Sequence, residues 1–232
     1  MKTSFWTKLL DLINPRLCVV CGQRLSANES FLCCVCHLHL PLTHFELQPT
    51  DNPMARLMWG QFAIERACAL YYYEPKSEMA EIVYSLKYRN RPELGRLIGQ
   101  VMAHRLQSKQ FFRDIDALVP VPLSKQRQRE RGYNQAEELA RGLSEVTGLP
   151  IYNKVVKRTA FAMSQTHLNA NERQENVKHV FQLIDNQIIA HKHILVIDDV
   201  ITTGSTITAC ARELQQAPDV KISVLTLGFS KS

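Results

Sequence analysis

The chain has 232 residues, of which 45% are hydrophobic and 22% charged, and its formal net charge is +6. That length can bury one sizeable core with a small extra module, and the composition is that of an ordinary globular protein rather than a disordered or fibrous one. No run of about 18 apolar residues is present, so no membrane span is expected.

The chain begins MKTSFWTKLLDLINPRLC, with Lys2 and Lys8 around a short apolar patch. Lys8 and Asp11 interrupt the patch and no small-residue cleavage site follows. We therefore expect a cytoplasmic chain without a secretion signal, its first residues forming a short amphipathic helix packed on the body.

Cysteines dominate the next stretch. Cys18 and Cys21 make one CxxC pair, Cys33 and Cys36 a second, with Cys34 inside it. Two such pairs bring four sulfurs to the corners of a tetrahedron. Thiolates so placed bind zinc strongly, and small ribbons often need the metal to fold. Gly22 permits the tight turn that lets backbone amides face the sulfurs. Disulfides are the competing explanation; seven cysteines is an odd number, and the paired spacing and missing secretion signal also argue against them. The expectation is a structural zinc ribbon held by Cys18, Cys21, Cys33 and Cys36, since four thiolates leave no open coordination position. We place a helix-and-ribbon unit at 1–45 and the main domain at 46–232. His37, His39 and His44 read as surface or packing residues, and Cys68 and Cys210 as core.

Pro41, Pro49 and Pro53 predict an irregular stretch over 41–66. ACALYYY (67–73) reads as a strand. SEMAEIVYSLKY (77–88) has helical spacing, and a second helix follows Pro92 through Leu94, Ile98, Val101 and Leu106. ALVPVP (117–122) is a short strand stopped by prolines. Between Tyr84 and Arg131 eleven Lys or Arg residues stand against Glu93, Asp114, Asp116 and Glu130. That clustered excess suits phosphorylated ligands or nucleic acid, with a solvated basic face as the plainer reading. A helix is expected over 134–146, ending near Gly148. HILVIDD (193–199) is a continuous apolar run, as in the middle of a parallel sheet. A helix over 205–216 then leads to the strand KISVLTL. Strands alternating with helices predict an α/β fold, an open and mostly parallel sheet flanked by helices.

The stretch ILVIDDVITTGSTI (194–207) carries the chemistry. In an open α/β sheet ligands sit beyond the carboxyl ends of the strands, and Asp198 and Asp199 stand at such an end. Gly204 lets the backbone turn sharply and approach a ligand. Free amides at the following helix start attract an anion, and Thr202, Thr203, Ser205 and Thr206 add hydroxyl donors. The loop suits a phosphate, and the carboxylates suit hydroxyls or a cation. A ribose 5-phosphate satisfies both, its phosphate in the loop and its 2- and 3-hydroxyls on the aspartates. An ordinary strand-to-helix turn remains the alternative. A Walker-type loop would need Lys where Ser205 stands.

The same stretch resembles the signature of the type I phosphoribosyltransferases, an apolar strand, an acidic pair and a T-[TA]-G-x-T loop that binds phosphoribosyl pyrophosphate. Two further blocks, VPVPLSKQRQRERGYNQAEELA (119–140) and RTAFAMSQTHLNANERQENVKHVF (158–181), resemble those of the ComF/GntX family, competence protein F relatives implicated in the use of external DNA and in natural transformation. With the ribbon, the resemblance spans nearly the whole chain. It implies a type I phosphoribosyltransferase-like domain with Asp198, Asp199, Thr202, Thr203, Gly204, Ser205 and Thr206 on the phosphoribosyl group. Lys125, Arg127, Arg129 and Arg131 follow a strand end and are placed to meet pyrophosphate or nucleic-acid phosphates, while Asn134 and Gln135 open the next helix, Asn134 as its cap. The 158–176 block matches the family's hood over the site, carrying over Arg158, Gln165, Arg173 and Asn176; for Arg173 a helix-surface charge is the alternative.

The chain departs from the pattern in two ways. No further CxxC pair follows Cys36, whereas many members have a second ribbon. Thr202 stands where purine-salvage enzymes place an acidic base, which excludes proton abstraction there and disfavours purine-base salvage. The expected function is DNA uptake and utilisation in natural transformation. Implied partners are single-stranded DNA and competence proteins such as a DNA helicase, with phosphoribosyl pyrophosphate or a nucleotide as ligand. An active Mg2+-dependent phosphoribosyltransferase on an unknown acceptor is the alternative, with catalytic candidates Asp198 and Asp199. An adaptor whose ribbon docks the helicase is a third.

Overall fold

The computed structural model describes residues 15–159 and 180–230. The N-terminal helix expected from the first residues lies outside them, as do Gln165, Arg173 and Asn176.

Among the described residues, the sheet has four strands: β1 (Arg66–Tyr73), β2 (Ala117–Pro120), β5 (His193–Ile201) and β6 (Lys221–Ser230). They lie in the order β1-β6-β5-β2, and every pairing is parallel. The apolar run Ile194–Ile197 in the interior of β5 is fully buried. A parallel strand has helices over its sheet on the way to the next, so its side chains meet apolar partners whichever way they point. The α/β fold expected from the sequence is the one found. A small antiparallel ribbon of β3 (Val156–Arg158) and β4 (Phe181–Leu183) stands apart from the sheet.

Local chemistry places most helix ends. Ser77 accepts from the Ala80 amide and opens α3 (Glu78–Tyr88). Pro92 starts α4 (Pro92–Gln107), where a missing N–H costs nothing. Asn134 accepts from the Ala136 amide at the start of α6 (Gln135–Thr147), and Gly148, at φ 75°, ends it. Helices α4 and α6 meet backbone to backbone. A β-carbon at Gly142 would lie 2.0 Å from the Arg96 carbonyl oxygen, and one at Gly99 2.2 Å from that of Leu139.

Beside the β3–β4 ribbon and a short helix over Cys34–His39, neither of which the sequence predicts, two further elements depart from the sequence expectation. Residues 41–66 are not irregular throughout. Asn52 caps α2 (Pro53–Met58), accepting from the Met54 and Ala55 amides at 3.0 Å each, with Pro53 in the first turn. Pro53, expected to break regular structure, occupies the one helical position that tolerates it. Ahead of it, the Thr43 amide donates to the Leu70 carbonyl at 3.1 Å and the Tyr72 amide to that of Pro41 at 2.8 Å, which stitches this segment to the free edge of β1. The second departure is α5 (Lys125–Arg131), a short helix in the basic stretch, capped by Ser124 and ended by Gly132 at φ 78°.

Candidate functional site

A cleft of about 220 Å3 opens where β2 and β5 end side by side. Strand β5 pairs with β6 as far as Ile201, so Asp198 and Asp199 lie within its last residues rather than after it. Asp198 sits opposite Thr226 in that register. Both carboxylates line the cleft, Asp199 being 8% exposed and Asp198 half-buried. Burial and the neighbouring Asp199 carboxylate push the Asp198 carboxyl up to about 7, against the pull of the Asp199 amide, Lys87 and Arg158. Lys87 reaches in from the end of α3, its Nζ 3.0 Å from Asp199 Oδ2.

The loop after β5 turns on Gly204, at φ 76°, where a β-carbon would meet Leu57 Cδ2 at 3.2 Å. Helix α7 (Ser205–Leu214) starts there without a side-chain cap. Thr202 and Thr206 line the cleft. Thr203, Gly204 and Ser205 do not line it; Thr203 Oγ1 and Ser205 Oγ lie 2.9 Å apart in a mutual hydrogen bond, and the Ser205 amide leans on Thr203 Oγ1 at 3.5 Å. An uncapped helix start of this kind, with hydroxyls beside it, presents donors to an anion.

Basic residues share the lining. After β2 the Val121 amide donates to the Ile197 carbonyl at 2.9 Å, and residues 121–123 form the rim. Asn134 ties that rim to the following helix, donating from Nδ2 to the Val121 carbonyl at 3.0 Å while it caps α6. Arg131 Nη1 donates to Gln135 Oε1 at 2.8 Å, and Gln135 Nε2 to the Tyr133 carbonyl at 3.2 Å. Arg127, Arg131, Asn134 and Gln135 thus share the cleft with the aspartates. Lys125 and Arg129 point elsewhere, for a reason internal to α5. Residues 127 and 131 are four apart and share a helical face, whereas 125 and 129 lie about half a turn round. From the β3–β4 ribbon Arg158 joins the lining, its guanidinium 5.4 Å from the Phe181 ring centroid; burial and the nearby Arg127 hold its basicity below the usual range.

Lys87 and Tyr73 also line the cleft, and neither stands out as a site residue in the sequence. Lys87 is one cation among the eleven of the basic excess. No local signal could set it opposite Asp199, since the pairing is made by the sheet.

Away from the cleft, the sulfurs of Cys18, Cys21, Cys33 and Cys36 all lie within 4.8 Å of one another. Cys21 and Cys33 are 3.7 Å apart, Gly22 turns at φ 73°, and the Cys36 amide donates to Cys33 Sγ at 3.4 Å where α1 (Cys34–His39) begins. Four thiols so close could hold a metal ion. Cys68 and Cys210 are fully buried, as expected of core residues.

No family model matches the chain. It is 35% identical over 230 residues to competence protein ComFC of Bacillus subtilis, covering 95% of this chain and 88% of that protein. With competence protein F of Haemophilus influenzae it shares 30% over 158 residues, 66% of this chain and 68% of that one. The DNA utilization protein YhgH of Salmonella typhimurium is 29% identical over 218 residues, 86% and 91% of the two chains. Among solved structures, the allosteric regulatory enzyme of purine biosynthesis superposes at a TM-score of 0.42 and 17% identity, over 61% of this chain and 29% of that enzyme. Adenine phosphoribosyltransferase of Saccharomyces cerevisiae gives 0.35 and 18%, over 60% and 72%. At these scores the superpositions add nothing to the sheet itself, whose strand order and direction define the fold.

Proposed function

The chain belongs to the competence protein F family, and we propose that it serves the use of DNA in natural transformation through a cleft that binds a ribosyl phosphate. The observation that carries this reading is the meeting of Asp198 and Asp199 with Arg127, Arg131 and Arg158 in the lining of one cleft. Carboxylates accept hydrogen bonds from a 2,3-diol, and guanidiniums clamp phosphate oxygens in pairs. The 202–206 loop and the start of α7 suit the 5-phosphate. Phosphoribosyl pyrophosphate fits all three features at once, and a nucleotide fits two. Mg2+ accompanying the pyrophosphate would neutralise part of its charge.

Calorimetric titration with phosphoribosyl pyrophosphate, with and without Mg2+, tests the reading. Saturable binding that is lost in Asp198→Asn/Asp199→Asn is the expected result. Absence of heat with the wild-type protein overturns it.

The four-cysteine cluster supports a zinc ribbon at the N-terminal end, within the proposed 1–45 unit. A tetrahedral site with zinc–sulfur bonds of about 2.3 Å has sulfurs about 3.8 Å apart, close to the 3.7 Å between Cys21 and Cys33. Metal analysis should find one zinc per chain, lost in Cys18→Ser.

A second reading, an active phosphoribosyltransferase, draws on the three arginines that line one cleft with the paired acids, where charge on a departing pyrophosphate would be stabilised. Thr202 takes no proton, so an acceptor must arrive already nucleophilic or lose its proton elsewhere. Pyrophosphate release on adding a candidate acceptor and Mg2+, absent in the Asp198→Asn variant, would establish this activity.

A further inference from the structure

We infer that Tyr84 and Tyr88 form a base-stacking platform for single-stranded DNA, set beside the ribosyl cleft and joined to it through Lys87 and Arg131. The choice of ligand rests on the DNA-utilisation reading above; the existence of the platform rests on the side chains.

Helix α3 buries Met79, Ile82, Val83 and Leu86, yet leaves Tyr84 50% and Tyr88 63% exposed. The two rings lie one turn apart with centroids 5.1 Å from each other and planes at 42°. Two half-exposed rings side by side offer a ligand aromatic surface with a polar edge. Each already has a guanidinium over it: Arg89 is 5.9 Å from the Tyr84 centroid and Arg131 5.7 Å from that of Tyr88. A groove of about 530 Å3 runs along this face between the end of β1 and α3, and Lys76 and Lys87 also line it. Glu81 is the opposing charge, 3.9 Å from Arg89.

Rings that stack bases, beside cations that meet phosphates, are what single-strand binding surfaces are made of. An acidic peptide would satisfy the cations but leave the paired rings unused, and a lipid tail would face cations rather than hydrocarbon. The cleft itself is a poor seat for DNA, because 2-deoxyribose lacks one of the two hydroxyls that paired carboxylates would accept. A DNA strand therefore needs its own surface. Lys87 and Arg131 stand in both places: Lys87 lines groove and cleft, and Arg131 lines the cleft and covers Tyr88. A ligand held in the cleft engages cations that the strand also uses, so the two ligands influence each other's binding.

Fluorescence anisotropy with a labelled 20-nucleotide oligothymidylate tests the platform, run beside calorimetry with phosphoribosyl pyrophosphate. Tyr84→Ala/Tyr88→Ala is expected to weaken oligonucleotide binding about tenfold or more, with an unchanged salt slope because no charge is removed. Tyr84→Phe/Tyr88→Phe should bind as the wild type does, and the heat of the ribosyl ligand should be the same in both variants. Wild-type affinity in the alanine variant overturns the platform while leaving the DNA reading standing. Loss in the phenylalanine variant also overturns it, since hydroxyls and not rings would then hold the strand. No oligonucleotide binding by the wild-type protein at low salt overturns the platform together with the DNA reading, whatever the cleft binds.

Discussion

The Asp198 carboxyl is held in a folded environment that opposes its charge, beside a second carboxylate. The sign of the consequence follows from linkage. An unfolded chain gives up this proton near pH 4, whereas the folded protein keeps it to about 7. The conflict is absent below pH 4, grows as pH rises between these values, and is constant above 7. Asp198→Asn should therefore stabilise the ligand-free protein at pH 8, by on the order of 2 kcal/mol after allowance for screening, and change little at pH 4. Urea midpoints at the two pH values check this. The same variant should lose ribosyl-ligand affinity, a trade between stability and binding that marks functional groups. At this scale the sequence is informative: the acidic pair, the glycine turn and the hydroxyls are readable from one short stretch. Lys87 is not, because a lysine in the last turn of a helix is an ordinary residue until the fold sets it 3.0 Å from Asp199 Oδ2.

Short elements decide which of the basic residues face the cleft. A run of alternating cations looks uniform in sequence, but α5 divides it into two faces. Arg127→Ala/Arg131→Ala is expected to weaken phosphoribosyl pyrophosphate binding at least about tenfold, as removal of charge-assisted hydrogen bonds does. Lys125→Ala/Arg129→Ala should stay within about twofold, by the same calorimetric measurement, because neither side chain lines the cleft. The signals for this helix, Ser124 as cap and Gly132 beyond the end, are present in the sequence but outweighed by the density of like charge. The packing of α4 on α6 gives a second element-scale expectation. Gly142→Ala drives a methyl group into the Arg96 carbonyl, so the helices must separate, at a cost of about 2 kcal/mol or more. The urea midpoint should fall while the slope of the transition stays unchanged.

On the scale of the whole molecule, the sheet order β1-β6-β5-β2 gathers the cleft from segments distant in the chain. Arg131 lines the cleft and covers the Tyr88 ring, so the arginine-bearing side of the cleft runs on to the exposed tyrosines of α3. If a single strand runs along that side, Arg127→Ala/Arg129→Ala/Arg131→Ala should flatten the dependence of log affinity on log salt by about 0.7 for each phosphate no longer neutralised. An unchanged slope would reduce these arginines to a solvated surface. The sequence by itself determined the four strands of the main sheet, most helix boundaries, the four-cysteine cluster and the acid-and-hydroxyl loop, because each is written in periodicity, capping or spacing over a few residues. Only the tertiary structure decided that Lys87 pairs with Asp199, that Arg131 and Arg158 share a cleft with the two aspartates, and that Tyr84 and Tyr88 stay in solvent. Those relations depend on the order of strands in the sheet and on which helical face turns inward, quantities fixed by packing over the whole core.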